Sequence, residues 1–238
     1  MTMDATTHRS WAAGAALLVA ALALVLASVA EFAPGADLRG DADDPAASLA
    51  YLRAAKDFYG YSGAALVVAG ATLIVGILGV ARIVRGGGLS LAFLAATGFG
   101  VLAGGFLALA GILRLNATGT VLHIDGLDPA WGESAYLAVQ LAGTQGALAV
   151  GILGLAGWLV GTALVAVRRR LPGLLAAGIL PAALILFLAV DAAALLPELP
   201  DAAFLIYVAA ITVGLPMGCA AIGVIMLLPT GRSRLSGD

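Results

Sequence analysis

The chain has 238 residues, a formal net charge of −2, 62% hydrophobic residues and only 11% charged ones, with a mean hydropathy of +1.06. A water-soluble domain carries about 25% charged residues, and a domain of this size has too little interior to hide so many long apolar stretches, so a soluble globular fold is excluded. The single cysteine, Cys219, excludes an internal disulfide and a cysteine-cluster metal site, and without a concentrated basic patch no nucleic-acid partner is expected.

Six apolar segments follow one another: Trp11–Ala30, Ser62–Ile83, Leu89–Leu113, Ala147–Val167, Leu174–Leu196 and Ala202–Leu228. At about 1.5 Å of rise per residue each can cross a hydrocarbon layer of about 30 Å as a helix. Backbone in lipid must satisfy its own hydrogen bonds, and the alternation of a membrane barrel is absent, so helices are required. The expected architecture for residues 1–238 is therefore an all-α polytopic transmembrane bundle, one integral membrane domain with six spans. The first segment follows Arg9 and ends in "ASVA", as a secretory signal does. Its apolar run exceeds the signal core of about 7–15 residues, so it reads as a retained anchor, with a cleaved signal and five spans as the alternative.

The arginines set the orientation. With the N-terminus inside, the inner islands hold Arg9, Arg82, Arg85, Arg168, Arg169, Arg170, Arg232 and Arg234, and the outer islands only Arg39, Arg53, Lys56 and Arg114. That bias places both termini in the cytoplasm. The inner turns "RIVRGGGLS" and "RRRLPG" are short, which makes spans two and three, and four and five, antiparallel hairpins. The outer loops, near Glu31–Tyr61 and Arg114–Gly146, are longer and each contains a helix start. Asp44 and Asp128 suit the N-cap and Pro45 and Pro129 the first helical position. Short outer helical extensions are thus expected before spans two and four. D-P-A at Asp44 and Asp128 and A-Y-L at Ala50 and Ala135 fit a duplicated unit, and fit chance similarity in so Ala/Leu/Gly-rich a chain equally well.

Lipid tails are as apolar as leucine, so helices in a bilayer associate through close packing at small residues. Gly100 and Gly104, Gly157 and Gly161, and Gly214 and Gly218 form GxxxG pairs, and Gly151, Gly154 and Gly157 extend a stripe on span four. These faces are expected to pack within the chain, the alternative being a homo-oligomer or a membrane-protein partner; the lipid bilayer is the partner in either case. Pro181 and Pro216 each remove a backbone donor within a span and predict a kink.

Asp191 is the one acid inside an apolar span. It lies about 8 Å below the outer end of span five at Leu196, where a charge costs less than the roughly 2.5–3.5 kcal/mol of the bilayer centre. It can reach the headgroups, pair inside the bundle, or contact a proton, cation or substrate. Tyr207 lies at a similar depth, and Tyr136, Gln140 and Thr144 share a helical face at i, i+4 and i+8. Asp191, Tyr207, Gln140, Thr144 and Arg114 are the candidate polar, substrate or proton site, with Arg114 or Lys56 able to neutralise the carboxylate. No catalytic residue, cofactor or metal is expected. His8 and His123 lie outside the spans, and metalloprotease, nucleophile-elbow and phosphate-loop motifs are missing. Trp11, Trp131, Phe58, Tyr59 and Tyr61 read as interface anchors.

The stretches "GWLVGTALVAVRRRLPGLLAAGIL" and "GLPMGCAAIGVIML" resemble the span, short basic turn and final helix of a group of uncharacterised bacterial six-helix membrane proteins of about this length. The resemblance covers roughly the last third of the chain and implies topology, not activity. Two functions follow from the residues: a non-enzymatic membrane protein that is structural or binds lipid or a partner, and, as the alternative, a small transporter or permease-like protein with an outward-facing polar site around Asp191.

Overall fold

A computed structural model of the chain describes residues 5–34, 44–84, 91–168 and 210–228. The described residues are all-helical. Helix α1 spans Ala5–Phe32, α2 Pro45–Ala54, α3 Lys56–Val84 and α4 Leu91–Asn116. A π-helical turn, Ala117–Val121, carries α4 on into α5, Leu122–Leu127. After Asp128 comes α6, Pro129–Leu137, and a second π-helical stretch, Ala138–Gln145, joins it to α7, Gly146–Arg168. A third π turn, Ala210–Gly214, leads into α8, Leu215–Leu227. Four helical segments, Trp11–Glu31, Lys56–Val84, Leu91–Leu127 and Pro129–Arg168, are long and apolar enough to cross a membrane, and Thr212–Leu227 is a shorter apolar helix.

Both expected helix starts are present. Asp44 Oδ1 accepts from the Ala46 amide and Asp128 Oδ1 from the Ala130 amide, each at 2.9 Å, ahead of a proline in the first turn. The cap satisfies amides that have no partner in the first turn, and the proline gives up a donor that would be orphaned there anyway. One expectation changes. The stretch after Arg114, read from the sequence as a loop before an extension of span four, is helical on both sides of a single break at Asp128. A π turn inserts one residue without ending a helix, so α4–α5 and α6–α7 form one long antiparallel hairpin. Pro216 also follows a π turn directly, which makes room for a ring that an unbroken α-helix would clash with. Pro181 lies outside the described residues.

Side-by-side neighbours run α8, α1, α3, α4, α7. Close approaches at glycine fix their directions. A Cβ on Gly76 would meet Leu17 at 2.6 Å, and one on Gly79 would strike Ala13, so α1 and α3 are antiparallel. A Cβ on Gly63 would stand 2.8 Å from the Gly111 carbonyl oxygen and one on Gly104 2.7 Å from that of Gly70, so α3 and α4 are antiparallel and closely packed. A Cβ on Gly154 would meet the Phe99 carbonyl and one on Gly161 Ala96, while one on Gly14 would meet Leu227 and one on Gly223 Leu18, so α7 is antiparallel to α4 and α8 to α1. These intramolecular contacts use the expected Gly100, Gly104, Gly151 and Gly154, and Gly161 lies against Ala96. Gly157 packs more loosely: a Cβ there would stand 3.6 Å from Phe99.

The main core joins Leu17, Leu73, Ile77, Leu107, Trp158 and Ile222 from five helices. Large apolar side chains such as Leu22, Leu26, Val75, Leu102, Leu109 and Leu153 stay exposed on the outward faces, as lipid-facing positions require. Arg82 and Arg168 are exposed at one end. The other end carries a second, smaller core of Leu49, Leu52, Tyr59, Ala117 and Val121, with Tyr136 and Val139 against it. The twenty residues from Arg82 back to Ser62 rise about 30 Å, the thickness of the hydrocarbon layer. The small core lies beyond that length, and α2, α5 and α6 cap the bundle there.

Candidate functional site

The polar side chains gather at the capped end. Arg114 stands on the buried stripe of α4 and is only 3% exposed. Its Nη1 donates to Glu31 Oε2 at 2.9 Å and to Ser62 Oγ at 2.6 Å. One guanidinium nitrogen thus ties the last turn of α1 to α3 and α4. The guanidinium carbon also lies 5.2 Å from the centre of the Tyr59 ring, close enough for a cation–π contact. Tyr59 O–H in turn donates to Gln140 Oε1, which brings the π-helical start of α7 into the same cluster. Tyr51 O–H donates to the Glu31 backbone carbonyl at 3.3 Å and holds α2 over the end of α1.

A second lock sits higher in the cap. Arg53 of α2 donates from Nε and Nη2 to the two carboxylate oxygens of Asp125 on α5, each at 2.7 Å. Such a two-point fit is the strong form of an ion pair. The Asp125 side chain is 4% exposed because α6 presses on it: a Cβ on Gly132 would stand 2.5 Å from Asp125 Cβ and 2.6 Å from its Cα.

Three of the five sequence-predicted site residues fall among the described residues, and the structure does not bring them to one point. Arg114 and Gln140 meet through Tyr59. Thr144 is fully buried, but its Oγ1 donates to the Val139 carbonyl of its own helix at 3.1 Å. The five-residue reach of that bond shows why: Ala138–Gln145 is wound as a π-helix, so the i, i+4, i+8 spacing does not stack Tyr136, Gln140 and Thr144 along one line. Asp191 and Tyr207 lie outside the described residues. Lys56 is exposed, away from the buried cluster.

Glu31, Ser62 and the pair Arg53–Asp125 were not picked out by sequence reasoning, and Tyr59, read as an interface anchor, is buried. A signal was present. Gly100, Gly104, Leu107, Gly111 and Arg114 follow one another at three or four residues and share the buried face of α4. Tyr59, Gly63, Leu66, Gly70, Leu73 and Ile77 do the same on α3. A polar residue that continues a small-residue stripe points inward.

Two buried donors have no acceptor among the described residues, Arg114 Nε and Trp158 Nε1. Trp158 lies in the middle of the bundle against Gly100. No group of three or more His, Cys, Asp or Glu side chains that could hold a metal ion occurs among the described residues. Chemically, the capped end offers hydrogen-bond donors, one shielded cation and its counter-ion, arranged as ties between helices. Comparison with protein-family models, with curated proteins and with solved structures gave no match.

Proposed function

We propose that the chain is a non-enzymatic multi-pass protein of the bacterial cytoplasmic membrane, with six spans and both termini inside, that holds a rigid outer cap for a partner or for lipid. One observation carries the reading: at the capped end the polar side chains are bonded to each other across helices. Arg114 joins Glu31 and Ser62, Arg53 joins Asp125, and Tyr59 joins Gln140. Groups spent on locks of this kind stiffen a surface for presentation.

The helix directions support the span count. Helix α7 ends at the end opposite the cap, whereas α8 runs antiparallel to α1 and so starts at the capped end. The six-span reading needs one crossing between them, and the apolar run Leu174–Leu196 is long enough for it. Arg82 and Arg168 lie at the uncapped end, which supports a cytoplasmic placement for it.

The test is reconstitution of the purified protein into vesicles loaded with a pH-sensitive dye, together with reporter tags at the "RRRLPG" turn and in the segment 35–43. The expected result is a proton leak no greater than that of empty vesicles and tags in opposite compartments. A second reading, the permease-like protein, is favoured by the buried Arg114 Nε, because a buried donor left without an acceptor costs about 1–3 kcal/mol and selects for one. Proton or solute flux through the purified protein, lost in Arg114→Gln or Asp191→Asn, would replace the first reading with the second.

A further inference from the structure

We propose that the tip of the α5–α6 hairpin is a docking peg for a partner protein that offers an apolar pocket rimmed by lysine and arginine. The proposal rests on the partner-binding form of the reading above and deepens it.

The first observation is an exposed apolar tip. Leu127 is 69% exposed and Trp131 66%, and Pro129 and Ala130 between them are exposed too. Tryptophan held out on a rigid element is the residue type that most often dominates binding when a pocket closes over it. The element is rigid for reasons already described. Asp128 caps α6, Arg53 clamps Asp125, and Gly132 lets α6 lie against α5 without a gap.

Second comes height: with the hydrocarbon boundary placed at the level of Arg114, it disfavours lipid as the occupant. Leu127 is thirteen residues beyond Arg114 along α4–α5, about 20 Å. Trp131 is twelve residues before Gly143, whose Cβ would touch Leu113 at 3.0 Å beside Arg114, and that is about 18 Å by the other strand of the hairpin. The polar layer of a bilayer adds only about 5–8 Å on each side. A helix tilt as large as about 40° still leaves the tip some 14 Å above the Arg114 level, outside the headgroups. On that placement Trp131 stands beyond the level of an interface anchor.

The third observation is charge. Among the described residues of this end, Glu31, Asp44, Asp57, Asp125, Asp128 and Glu133 outnumber Arg53, Lys56 and Arg114. Asp128 and Glu133 flank the tip itself. A second copy of the chain would bring like charges together, whereas a basic rim around an apolar pocket complements both features of the tip.

The test is a photoreactive benzoylphenylalanine placed at position 127 or 131 of the full chain in its own cells, with position 102 on the lipid-facing side of α4 as the control. The expected result is one discrete protein adduct from 127 and 131 and none from 102. The cross-linked peptide should carry lysine or arginine beside apolar residues. Adduct yield at 127 should fall by about tenfold or more in Trp131→Ala, and severalfold in Asp128→Asn/Glu133→Gln, which removes charge but keeps a good N-cap. Lipid adducts alone, an adduct to a second copy of this chain, a cross-linked peptide without basic residues, or no adduct would each overturn the proposal. Probes at positions 58 and 61 separate its failure from that of the broader reading: a protein adduct there but not at the tip keeps a partner-binding cap and discards the peg.

Discussion

The Arg114–Glu31 pair can be measured by a double-mutant cycle with Glu31→Gln, Arg114→Gln and both together. Gln is close in shape to Glu, so the Glu31 change mainly removes charge. The magnitude follows from the burial of each partner. Arg114 is 3% exposed and has lost its water, whereas the Glu31 side chain is 41% exposed and keeps much of its own. Breaking a fully buried pair costs about 3–5 kcal/mol, and exposed pairs couple by about 0.2–1 kcal/mol. A pair with one partner in each regime should couple by about 1–2 kcal/mol once screening of Glu31 is allowed for. Reversible unfolding in mixed micelles, followed by far-ultraviolet circular dichroism as denaturing detergent is added, gives the four stabilities. High salt should reduce the coupling only in part, because the Debye screening that erases surface pairs acts on the Glu31 side alone. A coupling below about 0.3 kcal/mol, the scatter of non-interacting sites, would refute the claim that Arg114 is held as a counter-charged lock.

Two neighbouring glycines provide an internal control on packing. A Cβ on Gly104 would stand 2.7 Å from the Gly70 carbonyl oxygen, whereas one on Gly105 meets nothing within 4 Å. Gly104→Val should therefore cost about 3 kcal/mol or prevent assembly, while Gly105→Val leaves a monodisperse protein within about 0.5 kcal/mol of the parent; size-exclusion profiles and detergent unfolding check both. Asp128→Ala should cost about 1 kcal/mol through loss of the cap, seen as faster hydrogen exchange in α6 with α3 unchanged, and Asp128→Asn should restore protection. Arg53→Gln leaves the shielded Asp125 carboxylate without its partner, at about 1–3 kcal/mol. Limited proteolysis near Asp128 should increase in that variant, and Asp125→Asn added to it should recover part of the loss.

Much of this was legible before any coordinates, because the signals were local. The D-P helix starts at Asp44 and Asp128 depend on one side chain and two amides, and both formed as the chemistry requires. The glycine faces were legible as small surfaces, but their partners were not. Gly63 against Gly111 and Gly14 against Gly223 do not form i, i+4 pairs across the contact, since each contributes one member from a different helix. The π-helical stretches left no pattern to read. Ala117–Val121 is rich in the weak helix formers Thr, Gly and Val, but Ala138–Gln145 is mixed, and neither carries a signature of the π form. One inserted residue per turn rotates everything beyond it, which is why Gln140 reaches Tyr59 and Thr144 does not join it. Arg114 was read as the start of an outer loop and as a member of the polar site, but not as the end of the α4 glycine stripe. Its spacing from Gly111 and Gly104 placed it on the inner face.

The change of solvent along the long hairpin explains why its two halves are built differently. Where α4 faces α3 and α7 within the hydrocarbon layer, leaving lipid gains little for an apolar side chain, so backbones approach at Gly104, Gly111 and Gly154 and gain by dispersion instead. In the proposed placement the same two helices leave the hydrocarbon layer past Arg114. There burial is favourable again, at about 25 cal/mol per Å² of apolar surface. Larger side chains take over: Leu49, Leu52 and Tyr59 close on Ala117 and Val121. Ion pairs also become affordable only there, because one partner of each, Glu31 or Arg53, stays partly in water while the other is shielded. Arg114 stands at the junction, with its stem on the glycine stripe and its head against the small core. A cap built this way is fixed to the bundle at the one level where both packing rules operate, so motion of the spans would be transmitted to the hairpin tip as a rigid displacement.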